Sequence, residues 1–165
     1  MDASSLRELQ KPLKDTYKTD PSAAVAQVHA HGSFADGGIT ATVDTWAGPV
    51  RAGFHPTTGG DGSDACSADM LLQALVGCAG VTFRSVATAM SIDVQDVSVR
   101  ADGTFDARGT LGTDREARVG MSDIALTFTF DTSAEDAKVD KLLELTERYC
   151  VVAQTLNVPV TIKRG

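Results

Sequence analysis

By type and setting, Cys78 and Cys150 are the residues best suited to chemistry, because each sits on an apolar helical pattern and two thiols can cycle between dithiol and disulfide. They lie far apart in the chain, so folding rather than sequence proximity must join them. An inert reading stands beside this one, since free cysteine is among the most buried residue types and packs as a small hydrophobe. Cys66 lies just ahead of the Cys78 segment, too far along a helix for direct local pairing, and reads as a loop thiol.

The elements that position these sulfurs can be read from spacing. Ser67 to Arg84 is a long apolar run of helix formers, with Ser67 as the expected cap and Asp69 in the first turn, where negative charge is favourable. Gln73, Gly77, Gly80, Arg84 and Thr88 make one narrow polar or small stripe, so most of this helix is predicted to be buried. A second helix is predicted from Ser133 to Cys150, Ser133 and Asp136 having capping-box spacing. Val139, Leu143, Thr146 and Cys150 share its inner face with Leu142 alongside, which turns Cys150 inward.

Around these helices the pattern is mixed. Leu6, Leu9, Leu13 and Tyr17 predict a short amphipathic helix closed before Pro21. Residues 26–32 and 39–43 alternate like two strands, and the Asp-Gly pair within Ala35-Asp36-Gly37-Gly38 predicts a hairpin between them. Thr45 to Ser67, rich in Gly and Pro, reads as irregular chain able to line a site. Val97, Val99 and Ala101, and then Ile124, Leu126, Phe128 and Phe130, predict two half-buried antiparallel strands, with a long turn or mobile loop from Gly103 to Gly120. Val158, Val160 and Ile162 make a last strand, at an edge or with Pro159 at its start. The order predicts an α+β fold with the cysteine helices against an antiparallel sheet.

Composition narrows the function. A chain of 165 residues with 42% hydrophobic content suits one domain, 1–165, with residues 1–20 as a helical extension. A net charge of -7 without a Lys/Arg cluster argues against nucleic acid as a partner. No secretory signal is evident and no stretch reads as a membrane span, so a soluble cytoplasmic protein is expected. Three cysteines do not make a disulfide scaffold. His29 and His31 would share one strand face, compatible with two zinc ligands or a titrating site. No third ligand accompanies them, and two histidines on the wet side of a hairpin is the simpler reading. No metal or cofactor is therefore expected. Trp46 and Phe54 flank the irregular loop as either an apolar wall or core residues.

Two segments resemble a known family. Asp69-Met70-Leu71-Leu72-Gln73-Ala74-Leu75-Val76-Gly77-Cys78 is similar to the first cysteine segment of the OsmC/Ohr proteins, the osmotically inducible and organic-hydroperoxide-resistance proteins. Tyr149-Cys150-Val151-Val152-Ala153-Gln154-Thr155-Leu156 resembles the second, and the likeness covers roughly residues 24 to 163. The resemblance implies an intertwined α+β homodimer in which two long central helices carry the first cysteines and the active sites lie at the subunit interface. It also implies thiol-dependent reduction of organic hydroperoxides or hydrogen peroxide, with Cys78 as peroxidatic nucleophile, Cys150 as resolving thiol and an external thiol or dithiol resetting the pair.

The chain departs from that pattern. Family hydroperoxide reductases use an arginine from the N-terminal hairpin and a glutamate before the acidic helix residue; here residues 29–44 hold no arginine, Ala68 stands at the glutamate position, and Val151 replaces a proline. A thiol needs a neighbouring cation or helix N-terminus to ionise near neutral pH, and Cys78 lies well past the first turn of its own helix. Arg51 is the first candidate to supply the charge and Arg148 the second, with Asp69 placed to orient a guanidinium or simply to stabilise the helix start. The alternatives to a peroxidase are a non-catalytic apolar-ligand-binding or stress-related dimer of the same fold and, more weakly supported, a thiol-disulfide regulator of protein partners.

Overall fold

A computed structural model describes residues 1–34 and 37–165. In chain order, α1 (Ala3–Thr19) is followed by a 3-10 turn at Pro21–Ala24. Next come β1 (Gly32–Ser33), β2 (Ala41–Thr45), β3 (Gly48–Gly53) and β4 (Ala65–Cys66), which leads directly into α2 (Ser67–Ala89). The second half holds β5 (Gln95–Thr104), α3 (Ala107–Leu111), β6 (Ser122–Asp131), α4 (Asp136–Tyr149), α5 (Val151–Thr155) and β7 (Val160–Arg164). The fold is α+β, as expected. One sheet runs β1-β2-β3-β4 and the other β5-β6-β7. The expected antiparallel pairs form between β1 and β2 and between β5 and β6, while β3 with β4 and β6 with β7 add parallel pairs.

The core lies between the second sheet and the two cysteine-bearing segments. On β6, Ile124, Leu126, Phe128 and Phe130 are all buried, the period-two pattern of a strand with one face covered. α2 meets them with Leu75, Ala79, Phe83 and Ala87, which recur every four residues and so form one stripe. Phe83 stacks on Phe128 at 4.6 Å between ring centroids and meets Phe130 at 5.0 Å. α4 closes the core with Val139, Leu142, Leu143 and Thr146, the inner face expected from spacing.

Several boundaries differ from expectation. The strand predicted over 26–32 shortens to Gly32–Ser33; in the register Gly32↔Val43 the end of β2 at Thr45 falls opposite Ala30, so residues before Ala30 have nothing to pair with. The Ala35-Asp36 part of the predicted turn lies outside the described residues. Within the supposedly irregular Thr45 to Ser67, Gly48 at φ 123° turns the chain into β3, which pairs along the whole of β2. The polar stretch 103–120 contains α3, started by the Asp106 carboxylate accepting from the Arg108 amide. Ser67 is the first residue of α2 rather than its cap; Cys66 occupies the cap position, with no side-chain cap bond. The Ser133 capping box does not form either, since Glu135 precedes α4. Instead, Thr132 Oγ1 accepts from the Ala134 amide at 3.2 Å and donates to the Asp93 carbonyl at 2.7 Å. The sequence reading found no membrane-length stretch, yet α2 with 23 residues is long and apolar enough to cross one by length and composition. In this fold its apolar stripe is core.

The first half is far less covered. α1 has no buried residue, and Leu9, Leu13 and Tyr17 of its predicted core-facing stripe are exposed. Phe34 is 83% and Trp46 100% exposed, so Trp46 is neither core nor pocket wall within this chain.

Candidate thiol site

Cys78 is carried on α2, half-buried, on the helix face that begins with Leu71 about two turns earlier. Cys150 is fully buried at the joint between α4 and α5, acting as last cap of one and first cap of the other. Its amide donates to the Thr146 carbonyl at 3.0 Å and its carbonyl accepts from the Gln154 amide at 3.0 Å, so both helices fix its backbone. Because α2 packs against both α4 and α5, the two thiols lie close enough to influence one another's protonation.

The environments of the two sulfurs differ in sign. Burial is the largest influence on Cys78 and pushes its thiol up, but four donors together outweigh it: the Val152 amide, the Cys150 thiol, the Val151 amide and the Thr82 hydroxyl. The net effect holds Cys78 below the ordinary thiol value. Burial is also the largest influence on Cys150 and raises it; hydrogen bonding to Cys78 and the developing charge there raise it further, against the Ala153 and Val152 amides. One thiol is thus biased toward thiolate and its neighbour toward the protonated form.

Within the single chain the two candidate guanidiniums make other contacts. Arg51 lies on β3 opposite Thr42, and its Nε donates to Asp64 Oδ1. The carboxylate that holds Arg51 here is thus Asp64, while Asp69 is exposed in the first turn of α2. Arg148 sits over the Tyr149 ring at 5.6 Å. Neither guanidinium is among the groups that shift Cys78. Backbone amides at the start of α5 lower the Cys78 thiol, a contribution invisible in residue types. Thr82 was also missed, although its position four residues after Cys78 puts it on the same helix face. Its hydroxyl donates to the Cys78 carbonyl at 2.8 Å as well as lying near the sulfur.

The remaining candidates stand apart. Cys66 pairs in register with Gly53, about three helical turns before Cys78. His31 is exposed and its Nδ1 lies 2.8 Å from Asp44 Oδ2, and His29 is exposed outside any strand. Among the described residues no group of three or more His, Cys, Asp or Glu could hold a metal ion.

A family model described as OsmC-like protein matches residues 60–163. The chain belongs to the OsmC family. Both cysteines of the thiol site fall inside the matched region. No curated protein matches the chain. Among solved structures, an OsmC-like protein from Mycoplasma pneumoniae is 13% identical with a TM-score of 0.69, covering 85% of this chain and 96% of that one. An organic hydroperoxide resistance protein OsmC from Legionella pneumophila is 17% identical, TM-score 0.63, covering 86% and 99%. The organic hydroperoxide resistance protein of Bacillus subtilis is 14% identical, TM-score 0.60, covering 85% and 100%. At these identities the likeness establishes the OsmC fold.

Proposed function

We propose that this OsmC protein is a thiol-dependent peroxidase that reduces organic hydroperoxides or hydrogen peroxide through Cys78 and Cys150. The observation that carries the reading is the asymmetric thiol pair: Cys78 held below the ordinary thiol value by amide and hydroxyl donors, with Cys150 beside it raised by burial. The Cys78 thiolate attacks the terminal oxygen of ROOH, the O–O bond breaks, and the alkoxide leaves as ROH after taking a proton. The resulting sulfenic acid condenses with the Cys150 thiol, releasing water and forming a disulfide. Two external thiols, or one dithiol, return both sulfurs to the reduced state and are themselves oxidised to a disulfide.

Mild treatment with cumene hydroperoxide or hydrogen peroxide is expected to convert the pair to one intrachain disulfide. Cys78→Ser abolishes that conversion, and Cys150→Ser halts it at a sulfenic acid trapped by dimedone. Survival of both thiols in excess peroxide refutes the peroxidase reading and leaves the fold intact. The same reading assigns a homodimer, supported by the exposure of Phe34, Trp46 and Val81, which a second copy would cover. Sedimentation giving only monomer at micromolar concentration counts against it. One observation favours the non-catalytic dimer instead: among the described residues of one chain, no guanidinium is named among the groups that shift Cys78. Peroxide consumption with a dithiol reductant separates the two.

A further inference from the structure

The cycle proposed above ends in a disulfide between Cys78 and Cys150 that an external thiol must open, and either sulfur could take the attack. The two are not equally placed. Cys150 is 0% exposed and belongs to the core cluster itself, together with Leu75 and Ala79 of α2, Leu142 of α4 and Ala153 of α5. Its backbone is held from both sides, by the Thr146 carbonyl and the Gln154 amide, so it does not sit on a loop that could swing the sulfur outward. A second copy of the chain can only add to this enclosure. Cys78 packs against the edge of the same cluster without joining it.

The earlier steps of the cycle fix the direction of approach. Thiol exchange is an in-line displacement, in which the incoming atom enters opposite the leaving one. When Cys150 displaces the hydroxyl of the Cys78 sulfenic acid, the oxygen departs from the side of Cys78 turned away from Cys150. Peroxide delivered the oxygen from that same side, so it is open in the working protein whatever a second copy covers. A thiolate that attacks Cys78 in the disulfide retraces the path. Leaving-group strength alone points the other way, since Cys78 is the lower of the two thiols and the weaker base leaves faster. Access decides the contest, because an enclosed sulfur reacts only in the small fraction of molecules whose core has opened.

We infer that the external thiol reduces the disulfide by attacking Cys78 rather than Cys150, through the opening that admits peroxide, with Cys150 as the buried leaving group. The incoming thiolate bonds to the Cys78 sulfur, the Cys78–Cys150 bond breaks, and its electron pair leaves on Cys150, which takes up a proton. The Ala153 and Val152 amides, which act on Cys150 against its burial, receive that charge as it develops. A second external thiolate then attacks the outer sulfur of the mixed disulfide, so the reductant is released as a disulfide and Cys78 leaves as thiolate.

The inference rests on the peroxidase reading, and the test separates their failures by forming the disulfide with diamide as well as with peroxide. It uses the Cys66→Ser chain, so that only the two site thiols react. Excess glutathione is mixed with the oxidised chain, samples are quenched in acid at successive times, freed thiols are alkylated, and the peptides are identified by mass spectrometry. At the earliest times glutathione is expected on the Cys78 peptide and the alkyl label on the Cys150 peptide, in at least about tenfold excess over the reverse. Reduction by dithiothreitol is also expected to hold its rate within about twofold across urea concentrations below the unfolding transition, because no opening of the core is required. Glutathione on Cys150, an even division between the two, or a rate that climbs with urea in that range overturns the inference. A bond formed by diamide but not by peroxide strikes the peroxidase reading alone and leaves the site of attack measurable; a bond formed by neither oxidant overturns both.

Discussion

Replacing Thr82 by valine tests how far its hydroxyl lowers the Cys78 thiol. Valine keeps the shape and removes the hydroxyl, which lies near the Cys78 sulfur and donates to the Cys78 carbonyl at 2.8 Å. Hydrogen bonds to charged groups contribute about 1.5–3 kcal/mol. The hydroxyl has one proton and two competing acceptors, so the lower end applies, and about 1.4 kcal/mol corresponds to a tenfold change in equilibrium. Alkylation of Cys78 by iodoacetamide at neutral pH, read by peptide mass spectrometry, tracks the thiolate fraction and is expected to slow by roughly tenfold in Thr82→Val. Thr82→Ser is expected to restore the rate. At a pH high enough to ionise Cys78 fully, parent and variants should converge. A valine variant within twofold of the parent at neutral pH, a serine variant as slow as valine, or a deficit that persists at high pH refutes the argument, the last because access rather than ionisation has then changed.

Other outcomes follow from the same geometry. Because Cys78 is held below and Cys150 above the ordinary thiol value, raising the pH in a reducing buffer is expected to expose Cys78 to alkylation first and Cys150 only under more alkaline conditions; the reverse order in a pH series would contradict the assignment of roles. Phe83→Ala removes a ring stacked at 4.6 Å on Phe128 in a fully closed core and is expected to cost about 3–5 kcal/mol, measured by urea unfolding. Gly60→Ala would drive a Cβ into the Phe54 carbonyl oxygen, so the loop must shift, at about 1–3 kcal/mol by the same assay.

What the sequence disclosed depended on how local the cause was. The inner face of α4, with Val139, Leu143, Thr146 and Cys150, follows from helical period alone, and the structure buries all four. β6 was equally legible because Ile124, Leu126, Phe128 and Phe130 alternate along a strand with one face packed. Caps were less legible, since Ser67 and Ser133 have the right chemistry but the chain enters each helix at Cys66 and Glu135. β3 was hidden by Pro49 and the glycines at its ends, whose turn-forming tendency outweighs a short Val50-Ala52 alternation. At the site, residue type identified the two thiols, but nothing in a side-chain pattern could reveal that the Val151 and Val152 amides donate toward Cys78.

The position of Cys150 at the joint of two helices has a mechanical consequence. A bond from its sulfur to Cys78 would staple α2, the end of α4 and the start of α5 at a single point, closing a loop of about 70 residues. In the chain-entropy account a crosslink of that span lowers the freedom of the unfolded chain by about 4 kcal/mol. Oxidation would then be stored as thermal resilience as well as spent chemistry, and the reductant that resets the pair would also have to release that tension before the protein could be dismantled.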